Sequence, residues 1–135
     1  MTSNEAWLKF GLPAELKHRN EIQRLLGLEI EFERQGEGGE EMLRTLCLQL
    51  FSLGYPEDAL LIWEAKQSSF DAGCGLDVQL LCGAGLTATK DYLSRASAPE
   101  ASAVLKYLAV CEKAGDFDEW TPQATLDTWR SYYGF

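Results

Sequence analysis

Several features that would point to a familiar chemistry are scarce in this sequence. It has one histidine, His18, four cysteines with no C-x-x-C pair, and no apolar run longer than the five residues 59–63. A membrane-spanning helix needs about 18 apolar residues, so none is expected. Residues 1–10 lack a basic stretch followed by an apolar one, which makes a cytoplasmic location the expectation. Cys47, Cys74, Cys82 and Cys111 are separated by 27, 8 and 29 residues, unlike the close pairs of a zinc site, and His18 is far from all four. No metal or cofactor is therefore expected, and the cysteines read as free thiols used as small apolar side chains. Nucleophilic catalysis would have only His18 as an imidazole base; set between Lys17 and Arg19, it reads as a surface residue.

Basic charge is scarce as well. Twelve Lys and Arg stand against 21 Asp and Glu, a formal charge of −9 over 135 residues, and the bases never cluster. A phosphate backbone would be repelled, so nucleic acid is excluded as a natural partner and a basic protein is favoured. At 15.1 kDa the folded surface should be about 7,000 Å², small enough beside the unfolded chain to enclose one real core without staples.

β-branched residues are sparse while leucine and alanine are plentiful, and apolar positions recur at helical spacing. The pattern predicts a single all-α domain over 1–135, an irregular bundle of six or seven short helices. One helix should run from Pro13 through Leu16, Ile22, Leu25, Leu26 and Ile30 to the glycine loop 36–39. A second carries Met42, Leu43, Leu46, Leu50 and Leu53 and stops at Gly54. A third opens at Pro56 with two acids and buries Ala59, Ile62, Trp63 and Phe70. The short connection makes residues 40–68 an αα-hairpin. A nearly all-apolar stretch at 76–81 should be buried, and helices follow at 86–95, after Pro99 and after Thr121-Pro122.

Within the hairpin, Leu46, Cys47, Leu50, Gly54, Ala59 and Trp63 fall as large, small, bulky, turn, small and aromatic residues. Over these 21 residues, 46–66, the chain resembles part of a tetratricopeptide repeat. What the resemblance implies is a helical hairpin used for protein binding.

Two glycine breaks, Gly73-Cys74-Gly75 and Gly83-Ala84-Gly85, interrupt the helices. The second precedes Thr87, Thr89 and Lys90, but Ala88 replaces the third glycine of a dinucleotide fingerprint and Lys90 lacks the Gly-Lys-Ser/Thr order of a P-loop. The expectation is a close helix crossing, with Cys74 the most accessible thiol. Asp116-Phe117-Asp118-Glu119 starts like a calcium loop, yet Trp120 and Thr121 stand where a ligand and a glycine are required, so it reads as a solvated turn or part of a partner surface.

Acids concentrate at Glu29, Glu31, Glu33, Glu37, Glu40 and Glu41, six in thirteen residues opposed only by Arg34. Glu31 and Glu33 fall at a helix C-terminus, where they oppose the dipole and contribute nothing obvious to local stability. Aromatics concentrate at the C-terminal end, where Tyr132 and Phe135 cannot share the inward face of Leu126, Trp129 and Tyr133. The expected function is a non-enzymatic acidic domain, an adaptor or an immunity-type inhibitor, that docks a basic protein. Its expected contact residues are Glu29, Glu31, Glu33, Glu37, Glu40, Glu41, Asp116, Asp118, Glu119, Tyr132 and Phe135. The alternatives are a small-molecule or enzyme site at the glycine breaks, and self-association.

Overall fold

The all-α expectation is met in the computed structural model, which describes all 135 residues: eight α-helices and no strand. Helix α1 spans Ser3–Phe10, where the Thr2 side chain accepts from the Glu5 N–H and Gly11, at φ 72°, turns the chain away. A 3₁₀ turn at Leu16–His18 leads into α2, Arg19–Arg34. Then come α3, Glu40–Leu53, ended by left-handed Gly54, a 3₁₀ turn at Pro56–Asp58, and α4, Ala59–Lys66. The short α5, Phe70–Gly75, is capped by Ser69 and followed by a 3₁₀ turn at Val78–Cys82. Helices α6, Leu86–Arg95, α7, Ala101–Lys113, and α8, Pro122–Tyr133, complete the chain, with Thr121 capping α8.

Helix α3 is the axis of the molecule. Residues 45–51 are all buried, so the helix is enclosed rather than amphipathic. Helix α2 covers it most extensively, α1 lies alongside, and α5 and the 78–82 turn close the opposite side. Gly54 makes α3 and α4 neighbours, the hairpin read in the sequence, but α4 has broader interfaces with α2 and the 78–82 turn. Polar ties reinforce the layers. Buried Gln49 donates to the carbonyls of Ala6 and Gly11 at 3.0 and 3.1 Å, and Arg130 donates to the Leu12 carbonyl at 2.9 Å. Twenty-nine buried apolar side chains form one contiguous cluster, so the helices share a single core.

Three local expectations are corrected. The helix read from Pro13 starts at Arg19, and Leu16 is exposed, because the preceding turn points it outward. Phe70 does not extend the buried face of α4: Ser69 starts a new helix there and leaves Phe70 exposed. The apolar residues Leu76, Val78, Leu80 and Leu81 are buried as expected, but Asp77 is exposed and the element is a 3₁₀ turn at Val78–Cys82.

Candidate functional site

The acidic segment 29–41 folds back on itself because Gly36, at φ 75°, reverses the chain and the N–H groups of Glu37 and Gly38 both donate to the Phe32 carbonyl. The last turn of α2 and the first of α3 thus share one end of the molecule. Helix α5 lies across both. The Ser69 hydroxyl, which caps α5 by accepting from the Ala72 N–H, donates to Glu33 Oε1 at 2.8 Å, while the Glu40 carboxylate lies against Gly75.

Glu31, Glu37 and Glu41 are exposed, and Glu33 and Glu40 are half-buried toward α5. Glu29 lies about one helical turn before Glu33 on α2. It is half-buried and its carboxyl is pushed up, chiefly by desolvation and also by Glu33, against the opposing pull of the Met1 ammonium. Arg34 is shared between Glu31 at 3.6 Å and Glu64 at 3.3 Å, so it leaves the acids in excess. Phe70 is 83% exposed beside exposed Asp71, and Phe32 is also exposed.

The expected aromatic cluster adjoins this end through Glu41. Tyr133 lies 4.4 Å from Trp7 ring to ring and stacks on Trp129 at 5.9 Å, and its oxygen accepts from both Nε and Nη2 of Arg44 at 3.2 Å. Arg44 in turn pairs with Glu41 at 3.6 Å. Burial raises the Tyr133 phenol, and Arg44 opposes that rise. Tyr132 and Phe135 are exposed. Asn4, Trp7, Leu8, Tyr133 and Phe135 border an open groove of about 430 Å³.

The second acidic group lies elsewhere. Asp116, Asp118 and Glu119 are all exposed on the turn between α7 and α8, and the Asp116 carbonyl accepts from Gln79 at 2.8 Å. Glu119 adopts φ 55°, which turns the chain sharply before Trp120. Trp120 then donates to Thr125 Oγ1 at 2.7 Å and packs edge-on against Phe117. Between this turn, the 3₁₀ turn at 78–82 and α8 lies a cavity of about 230 Å³.

Gly73-Cys74-Gly75 is not the expected interruption but the last turn of α5, started by the Ser69 cap, and neither glycine triplet borders a cavity. Gly83 is pressed against the carbonyl of Phe51, the close crossing its sequence predicts, and Cys82 is fully buried. Cys74 is the one exposed thiol. Lys66 closes the first triplet from within: its ammonium donates to the carbonyls of Gly73 and Leu76, and burial pulls its pKa down. No three His, Cys, Asp or Glu side chains converge as a metal site would require. No helix is long and apolar enough to cross a membrane. His18 is half-buried, edge-on to Phe10 at 5.1 Å, away from every cysteine.

Sequence reasoning missed Phe70, Asp71 and the cavity beside α8. Ser69 ahead of Phe70-Asp71-Ala72 is a legible helix start, and a residue in a first turn need not face the core. The cavity has no local signal, because its walls lie more than forty residues apart. No protein family, curated protein or solved structure matches the chain.

Proposed function

We propose that the chain is a non-enzymatic binding domain that docks a basic protein through the acidic end formed by α2, α3 and α5. The observation that carries this reading is Phe70, a large apolar side chain left 83% exposed on the short helix that bridges Glu33 and Glu40. An isolated exposed phenylalanine is unremarkable, but one set among unneutralised carboxylates has the composition of an anchor within a steering rim. Exposed Glu31, Glu37 and Asp71 attract a basic surface over a Debye length of about 8 Å at physiological salt, and Phe70 supplies the apolar burial that slows release.

An adaptor and an inhibitor of a basic enzyme both fit such a surface; they differ in whether the partner's active site is covered. Reversing Glu31 and Glu37 together to lysine should weaken a basic partner about tenfold and flatten its salt dependence, because rim charges act mainly on encounter. Phe70→Ala should leave the salt slope intact and raise the dissociation rate. Surface plasmon resonance at a series of salt concentrations checks both, using a basic protein retained by the wild type. Affinity indifferent to ionic strength, or equal for wild type and the Glu31→Lys/Glu37→Lys variant, would sink the reading.

A further inference from the structure

We propose that the cavity between the 78–82 turn and α8 receives an arginine side chain of the basic protein partner, a second contact that rests on the docking reading above. Its walls include Asp77, Gln79, Trp120, Thr125, Thr128 and Trp129, and no lysine or arginine of the chain is among them. The inference follows from counting donors and acceptors. The Asp77 carboxylate caps nothing and offers two acceptor oxygens, though its charge also acts on buried Lys66. Gln79 spends one N–H on the Asp116 carbonyl, which leaves its Oε1 as an acceptor. Thr128 donates to the Ala124 carbonyl and keeps its lone pairs. The donors left over are the Thr125 hydroxyl proton, the second Gln79 N–H and the Trp129 indole N–H, so it is the Asp77 charge that favours a cation.

The lining is therefore rich in acceptors, singly negative and walled by two indoles. A guanidinium is the complementary group, being planar and always charged, with five donors and no acceptor, and able to lie on an aromatic face.

The protein already uses the same recognition internally. Arg19 lies 4.0 Å over the Tyr55 ring and donates from Nε and Nη2 to the two oxygens of Asp58, which Gln23 also contacts. A carboxylate and aromatic rings, the two groups that hold Arg19, are also present in the cavity lining as Asp77, Trp120 and Trp129. Asp116, Asp118 and Glu119 stand exposed on the adjoining turn and extend the negative field to solvent. This assigns the second acidic group a role that the end around Phe70 does not cover.

The test is NMR of the tryptophan indole N–H signals during titration with acetyl-Gly-Arg-Gly-amide and its citrulline counterpart, which keeps the shape and loses the charge. The arginine peptide should shift Trp120 and Trp129 saturably and leave Trp7 and Trp63 in place. The citrulline peptide should bind at least tenfold more weakly. Asp77→Asn should weaken the arginine peptide at least fivefold with the far-UV circular dichroism unchanged, since this side chain caps nothing, although its loss removes a favourable charge near buried Lys66. Equal response to citrulline, or no preference for Trp120 and Trp129, overturns the proposal.

A lysine-rich, arginine-free peptide separates the two readings. If it binds with a steep salt slope that Glu31→Lys/Glu37→Lys abolishes while the arginine peptide leaves Trp120 and Trp129 unmoved, docking stands and the arginine pocket falls. If the arginine peptide binds at the cavity but neither the lysine-rich peptide nor protamine binds with a salt slope, the site recognises a small guanidinium compound, and assignment to a protein partner is overturned.

Discussion

Asp58 shows how far one carboxylate can depart from its local context. Beside Pro56 and Glu57 it reads as an acid favouring the positive end of a helix, yet it is only 3% exposed, gripped by Arg19 through two 3.0 Å bonds and by Gln23 at 2.7 Å. Its hydrogen bond to Arg19 is the main cause of that guanidinium's raised pKa. Asp58→Ala leaves Arg19 and Gln23 without an acceptor and opens space at the start of α4. Arg19 is partly exposed and can rehydrate, so the loss should be about 3 kcal/mol, the low end for breaking a buried pair. Urea unfolding of the variant checks it. Nothing near Asp58 in the sequence marks the pairing, because Arg19 is 39 residues away.

At the scale of elements, glycine substitution separates packing from propensity. Gly27 lies on the outer face of α2, where an added Cβ meets nothing within 4 Å. Gly27→Ala should therefore stabilise by about 0.5 to 1 kcal/mol through helix propensity and reduced freedom of the unfolded chain. Gly83 has φ −59°, which any residue adopts, but its Cβ would strike the Phe51 backbone at the end of buried α3. Gly83→Ala should cost about 2 to 3 kcal/mol, since a buried backbone cannot move aside as a side-chain tip can. Paired urea midpoints, one above and one below wild type, test the contrast. The sequence marked Gly83 as a crossing because a break beside buried apolar residues invites close approach, whereas nothing in it singled out Gly27. Which atom it approaches belongs to the packing of α3.

For the molecule as a whole, the accessible surface of 7054 Å² agrees with the roughly 7,000 Å² expected of a closed domain of this mass. Closure has an electrostatic consequence. Fully enclosed Cys47 and Cys82 are both raised by desolvation, Cys82 to about 12, whereas unfolded thiols ionise near 8.5. The unfolded chain releases these protons first, so the stability they contribute is complete below about pH 8.5 and falls as pH rises toward the folded values, by up to about 2.7 kcal/mol per pH unit for the two thiols. Lys66, lowered by burial, works with the opposite sign between its folded value and about 10.4, so the thiols act unopposed only above that. Stability measured by denaturant from pH 8 to 11 should fall, and Cys47→Ala/Cys82→Ala should flatten the slope. Helix class, the buried positions of α2, α3 and α7, the enclosed thiols, the exposed Cys74 and the acid-rich segment were all determined by the sequence itself, since periodicity, caps and charge are local properties. Tertiary structure alone decided that α5 would bridge Glu33 and Glu40, that Phe70 would stand outside, and that Asp77 would line one cavity with Trp120 and Trp129. Each of these depends on which surfaces meet around α3, and such long-range choices are made by the packing of the whole core.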